Sequence, residues 1–247
     1  MERRHEFSYT RRGKTAYMDQ VIEYFEANAS PSKILDIPAG SGIFAQELER
    51  LGHFVVKADI HGIDGFVHAN MDEPLPMKDG EFDAVTCLEG IEHLVNPVGL
   101  LQELVRVTAP GGTIVISTPN ITNLHSRLQF LFTGTFFQFD ARGARQTHGA
   151  LIDRGHVSPF TPLQLSYVLG SFGCELKELR IDRAKRKALI PLYLAMKPFS
   201  LLWTQKIAKG TTPGTYPGVR CVRSLLTGFD VMFGRSQILV FQKATST

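Results

Sequence analysis

Cysteine is scarce in this sequence. Its 247 residues include three, Cys87, Cys174 and Cys221, which are far apart and odd in number. That pattern excludes a disulfide framework and any paired-cysteine zinc spacing, and it points to a reducing compartment, the cytoplasm. Uninterrupted apolar runs of about 18 residues are missing, so no membrane span is expected. The opening stretch, MERRHEFSYTRRGK, has basic residues with no apolar segment behind them, and no signal peptide is read there. Net charge is only +3, too small to argue for a nucleic-acid partner, and none is expected. There is no internal repeat. Hydrophobic content of 43% and charged content of 21% are ordinary for a globular protein. The length suits one α/β domain, 1–247, with insertions.

The stretch from Lys33 to Ile60 carries the strongest local signal. Ile34, Leu35 and Ile37 form a short apolar run that suits a buried parallel strand, with Asp36 near its end. Pro38-Ala39-Gly40-Ser41-Gly42 turns. Phe44, Leu48 and Leu51 then fall on one face of a predicted helix that Gly52 stops. His53 to Ala58 makes a second strand, closed by Asp59. Glycines at 40 and 42 permit close backbone approach, and the following helix start offers unpaired N–H groups. An acid at the end of the second strand can accept both hydroxyl hydrogens of a ribose. Gly40-x-Gly42-x-x-Ala45 also matches the loose dinucleotide fingerprint, so two cofactor classes fit this much. An acid inside the first strand repels phosphates and suits a cationic or amine-bearing ligand.

Asp36, Gly40 and Gly42 resemble motif I of class I S-adenosylmethionine-dependent methyltransferases, with Pro38 in place of the first glycine. Further on, Glu89-Gly90-Ile91-Glu92-His93-Leu94, just past the strand Glu81–Leu88, resembles a Glu-x-x-Glu-His variant of the family's motif IV. The amino-methylating Asn/Asp-Pro-Pro-Tyr/Phe motif is absent. Ala109-Pro110-Gly111-Gly112 is expected to turn before the strand Thr113–Ser117, and this Pro-Gly-Gly and strand again resemble the family. The resemblance implies S-adenosyl-L-methionine as cofactor. It implies a Rossmann-like seven-stranded, mostly parallel sheet with an antiparallel last strand and helices on both faces. It implies a donor site from Asp36, Pro38, Ala39, Gly40 and Gly42, from Asp59 and Ile60, from Met71 and Asp72 at the adenine, and from Leu88 and Glu89.

Around this frame lie the variable parts. Residues 1–30 read as a basic arm and a helix from Ala16 to Ala29; Tyr9 or Tyr17 either covers the cofactor or packs as an ordinary aromatic. His61, Asp64 and His68 lie close in sequence but lack ligand spacing, and no metal is expected. Residues 121–160 sit where the family inserts an acceptor-binding lid. Leu124 to Phe132 reads as an apolar helix, Phe136, Phe137 and Phe139 as a loop, then comes a polar run from Asp140 to His156. The aromatics and arginines there either grip a sugar or anionic acceptor or pack the lid on the sheet. Thr161 and Pro162 begin a helix through Phe172, and Cys174–Ile181 and Ser236–Gln242 are the last two strands.

Between them, 182–235 is an apolar and basic insertion. Pro191 and Pro198 are expected to break its apolar stretch. Beside Arg183, Lys185, Arg186 and Lys187, residues 183–204 suit either a membrane-surface contact or a buried insertion helix. His156 and His93 are the candidate general bases. The expected activity is O-methylation of a glycan or lipid-linked acceptor at the inner membrane face. The alternatives are a soluble small-molecule methyltransferase and a catalytically silent donor-binding partner protein.

Overall fold

The structure, a computed structural model, describes residues 13–28, 30, 32–139, 145–146, 152–153, 155–209 and 218–245. Tyr9, much of the polar run (Asp140, Arg142, His148, Arg154) and the loop 210–217 lie outside the described residues.

A seven-stranded sheet organises the chain. Its strands are β1 (Lys33–Asp36), β2 (Phe54–Asp59), β3 (Val67–His68), β4 (Phe82–Leu88), β5 (Thr108–Pro119), β8 (Cys174–Ile181) and β9 (Ser236–Lys243), in the order β3-β2-β1-β4-β5-β9-β8. The first five pair in parallel. β9 runs antiparallel to both β5 and β8. A separate two-residue ribbon, β6 (Arg145–Gln146) and β7 (Ile152–Asp153), stands in the segment expected to be a lid.

The period-two alternation of the strands decides which helix covers which face. Ile34, Ala84, Val115 and Val240 point to α1 (Ala16–Ala27) and α2 (Ile43–Arg50), meeting Val21, Phe25, Phe44 and Leu48. Leu35, Val85, Ile114, Ile116, Leu239 and Phe241 point the other way. They meet Leu100, Leu101 and Leu104 of α3 (Pro97–Val107) and Leu165 and Leu169 of α5 (Pro162–Ser171). Each fully buried leucine contributes about 1.5–3 kcal/mol. The start of α5 matches its sequence signal: Thr161 and Gln164 form a reciprocal capping box with Pro162 in the first turn.

Three expectations need correction. The Ala109–Gly112 turn is instead part of β5. The pairing with β4 shifts between Phe82 and Ala84, and the extra residues are absorbed as a bulge. Gly112 is obligatory there, because a Cβ would lie 2.8 Å from the Asp83 carbonyl oxygen. Secondly, Pro191 and Pro198 do not break the insertion: α6 runs unbroken from Ile190 to Lys209. Pro191 falls in the first turn, where its missing N–H had no helical partner, and Pro198 removes one interior bond that this exposed helix survives. Thirdly, the detour before β9 holds two more helices, α7 (Gly218–Thr227) and α8 (Phe229–Phe233). Among the described residues no helix is long and apolar enough to cross a membrane. α4 (Leu124–Thr133) completes the set.

Candidate functional site

The parallel strands end at one edge, and ligands of open parallel α/β sheets bind outside that edge. There β1 delivers Asp36, buried, whose Oδ1 accepts a hydrogen bond from Thr86 Oγ1 at 3.0 Å. Its Oδ2 is buried and has no hydrogen-bond partner among the described residues. Burial pushes the Asp36 carboxyl up to about 7, with the Thr86 hydroxyl opposing. The turn that follows is left-handed at Gly40 (φ 55°) and Gly42 (φ 76°). Gly42 starts α2 without a side-chain cap, and a Cβ on Gly40 would meet nothing within 4 Å. The turn is therefore an open cradle with helix N–H groups at its end.

Asp59, from the end of β2, fastens this cradle. Its Oδ2 accepts from the Gly40 N–H at 2.9 Å and its Oδ1 from the His61 N–H at 3.0 Å. Each carboxylate oxygen has a second lone pair, so the buried group can still accept from a diol. Phe66 lies across Gly42, its ring tip 2.9 Å from where a Cβ would sit. Pro38, half-buried, touches Gly90: a Cβ there would fall 2.5 Å from Pro38 Cδ and 3.4 Å from Met71 Cε. Pro38, Gly90 and Met71 thus close one wall. Ala39 and Leu88 are buried behind it, Ile60 is half-buried, and Asp72 is exposed.

β4 hands the chain to a tight left-handed residue, Glu89 (φ 51°), whose N–H donates to Ser117 O at 2.9 Å. Ser117 Oγ donates to Glu89 Oε1 at 3.1 Å. Burial holds the Glu89 carboxyl up at about 7. Glu92 follows, fully buried, accepting from Thr118 Oγ1 at 3.1 Å, with Oε1 unpartnered among the described residues. Its carboxyl is pushed well above the usual range, by burial first and the Glu89 charge second. The Glu92 carbonyl also accepts from Val157 N at 2.9 Å and Ser158 N at 3.0 Å, which draws the far segment in.

That contact brings the two candidate bases together. The His93 and His156 rings meet edge-to-face with centroids 4.8 Å apart, and Phe139 lies on His156 at 5.4 Å. His93 Nδ1 is 3.0 Å from Gly155 O. A carbonyl only accepts, so Nδ1 carries the proton and the neutral ring has its lone pair on Nε2. Donor atoms of Glu92, His93 and His156 lie within 4.8 Å of one another. His61, Asp64 and His68 do not join this group. Sequence reasoning quoted Glu92 only as part of a motif and missed Thr86, Ser117 and Thr118. None carries a local signal, because each acts on a carboxyl distant in sequence: Thr86 of β4 on Asp36, and Ser117 and Thr118 of β5 on Glu89 and Glu92.

The fold carries no phosphate-binding requirement. The acid in β1 leads into the turn; Asp36, Glu89 and Glu92 are each held above the usual carboxylate range by burial, and a cationic ligand would favour their ionised forms whereas a pyrophosphate would oppose them. The fit is to a positively charged, ribose-bearing donor.

Comparison with known proteins agrees. A ubiquinone biosynthesis O-methyltransferase of Xanthomonas oryzae pv. oryzae is 29% identical over 118 residues, 41% of this chain and 49% of that protein. The chain therefore spans about half the length of such relatives. A protein of the same name from Cupriavidus pinatubonensis is 28% identical over 170 residues, 62% of this chain and 64% of the relative. The crystal structure of a SAM-dependent methyltransferase from Archaeoglobus fulgidus superposes with a TM-score of 0.56 at 20% identity, covering 92% of each chain, which establishes the shared fold. The methyltransferase-domain family matches residues 9–179, well over half of the sequence, and the chain belongs to that family.

Proposed function

We propose that the chain is an S-adenosylmethionine-dependent O-methyltransferase acting on a hydroxyl of a glycan or lipid-linked acceptor at an anionic membrane surface. One observation carries the donor and chemistry: Asp36, the Gly40–Asp59 cradle and the His93–His156 pair converge on a single edge of the sheet. S-adenosylmethionine supplies a methyl group already activated on a cationic sulfur. Asp59 holds the ribose, Asp36 faces the amine-bearing end, and Met71 with Asp72 takes the adenine. His156 or His93 removes the acceptor hydroxyl proton, worth roughly 10²–10⁴-fold. Alignment of the two reactants supplies about 7–11 kcal/mol, the larger share.

The membrane part rests on α6. Phe199, Leu202 and Trp203 are each about two-thirds exposed, at 69%, 67% and 69%, and Phe132 on α4 reaches 81%. Between Asp182 and Asp230 the chain has nine Lys or Arg and no acid. Exposed apolar side chains in a purely cationic segment suit an anionic lipid surface. Among the described side chains of α6 only Tyr193 and Thr204 are buried, which supports the surface reading over the buried-core one. The name of the relatives favours an oxygen acceptor and also supports a second reading, a small-molecule acceptor.

Isothermal titration with S-adenosylmethionine, its demethylated product and NAD tests the donor. Micromolar binding of the first two, weakened in Asp59→Ala, supports the reading; binding of NAD alone defeats it.

A further inference from the structure

Away from the donor cradle, four cations gather where the β8–α6 connection meets the start of β9. The backbone there is rigid. Ala184 pairs with Gly234, Lys185 N donates to Phe233 O at 2.8 Å, and Arg235 N donates to Arg183 O at 3.3 Å. Gly234 cannot be replaced, because a Cβ would lie 2.3 Å from Ile181 Cγ2. The nearby acid, Asp182, spends Oδ1 on the backbone N–H groups of Ser236 (2.8 Å) and Arg235 (3.2 Å). Its Oδ2 stands 3.7 Å from Arg183.

Asn123, His125, Lys185, Arg186, Met232 and Arg235 line a small cleft that opens to solvent. Among the described residues no ion pair joins Lys185, Arg186 or Arg235 to a carboxylate. Burial, then the charges of Arg183 and Arg235, lower the Lys185 ammonium below its ordinary value. Like charges held this close, with the nearby Asp182 already engaged by backbone N–H groups and Arg183, are costly in the free protein, and an anion relieves that cost. His125 Nδ1 is buried and unpartnered among the described residues. Arg186 is held in the left-handed region (φ 56°) with its guanidinium 4.5 Å over the Phe137 ring.

The cleft also has a fixed relation to the candidate bases. Phe137 packs on Arg186 and on His125 (5.2 Å), while Phe139, two residues on, packs on His156. The two are held together by a turn in which Phe139 N donates to Phe136 O at 3.0 Å and Gln138 is left-handed (φ 71°). On the other side, Arg235 acts electrostatically on Glu89. A ligand seated in the cleft would therefore lie beside the segment that carries Phe139 onto His156, and beside Arg235, whose charge acts on Glu89.

We infer that this cleft binds a phosphate group of the methyl acceptor, free or carried on a lipid. A carboxylate carries one negative charge and needs one partner. Convergent Lys185, Arg186 and Arg235 match a phosphate, whose several acceptor oxygens take the Arg forks in pairs. The inference rests on the methyltransferase reading for the word acceptor; the phosphate site itself stands independently.

The test titrates pyrophosphate, and in parallel phosphatidylglycerol and phosphatidylcholine vesicles, into the wild type, Lys185→Gln/Arg235→Gln and the distant surface variant Arg50→Gln. Saturable pyrophosphate binding that weakens at least tenfold in the double variant alone supports the site and a soluble source. Binding confined to phosphatidylglycerol vesicles and lost in the double variant supports it with a lipid source. No saturable binding of either probe by the wild type, or equal binding by the double variant, overturns it. Arg235→Lys keeps the charge and removes the fork; it guards against misfolding and is expected to bind at an intermediate level. S-adenosylmethionine affinity is measured on every variant and is expected to stay within twofold. If the wild type binds pyrophosphate but not S-adenosylmethionine, the methyltransferase reading fails and the phosphate site survives.

Discussion

His93 and His156 come from distant parts of the chain, yet their rings meet at 4.8 Å, and the Gly155 carbonyl fixes the tautomer of His93. The pair stands at the end of β4, at the same edge as Asp36 and Asp59. Two candidate bases that the sequence leaves as rivals thus occupy one place, and replacing each separately distinguishes them.

The histidine that accepts the acceptor proton is expected to lose roughly 10²–10⁴-fold in kcat on substitution by alanine. Donor affinity should stay within about twofold. The other histidine should lose far less, and its variant should keep the acid limb of the pH–rate profile. Steady-state kinetics from pH 5.5 to 9 on His93→Ala and His156→Ala, with any accepted hydroxyl substrate, reads this directly. Unchanged kcat in both would remove general-base catalysis from these residues.

Asp59→Ala removes a buried acceptor from two backbone N–H groups and, on the proposed function, from the diol of the donor. Hydrogen bonds to charged groups contribute about 1.5–3 kcal/mol each. The expectation is at least a tenfold weaker donor with a lower Tm. Asp59→Asn should recover part of the stability and little of the affinity. Calorimetric titration and thermal melts on both variants check it.

Asp36 makes donor binding pH-dependent. Its folded carboxyl titrates at about 7, because burial disfavours the anion. A cationic donor favours the ionised form, so binding releases a proton and affinity should rise with pH through that value. The stability of the ligand-free protein has the opposite sign. The folded carboxyl holds its proton between pH 4 and 7 while the unfolded one has lost it, so stability falls as pH rises across that window. Titrations at pH 6 and 8 on wild type and Asp36→Asn test this; equal slopes in the two proteins would sink it.

Gly90→Ala places a methyl 2.5 Å from Pro38 Cδ, so one of the two turns must move. Overpacking of this kind costs about 1–3 kcal/mol. Because Pro38 and Met71 share that wall, donor affinity should fall along with Tm. A Tm equal to wild type would show that the turns separate freely.

Phe199, Leu202 and Trp203 offer the converse test. Changing all three to serine should leave stability within about 0.5 kcal/mol per site, as expected for exposed positions. Sedimentation with phosphatidylglycerol vesicles should be lost. Retained pelleting would assign the binding elsewhere.

Much of this was legible beforehand. The short apolar run of Ile34, Leu35 and Ile37 and the Phe44/Leu48 spacing announced the first strand–turn–helix. Thr161-Pro162 announced α5. Prolines misled at 191 and 198, because a proline rule speaks of an average interior site and one of these lies in a first turn. Gly111-Gly112 misled because a glycine pair serves a bulge as well as a turn, and only the position of Asp83 decides between them.

What the sequence determined by itself is local: the period of each apolar pattern, the turn at Gly40 and Gly42, the acids at the ends of β1 and β2, and with them the family. Tertiary structure alone decided which distant groups meet. Thr86 reaches Asp36 because β1 and β4 pair in register, and Thr118 reaches Glu92 because β5 lies beside β4. Arg183 comes opposite Arg235, and Lys185 opposite Phe233, only because Ala184 pairs with Gly234. Each contact depends on strand register, which minimises exposed apolar surface over the whole sheet and so cannot be read from any one segment.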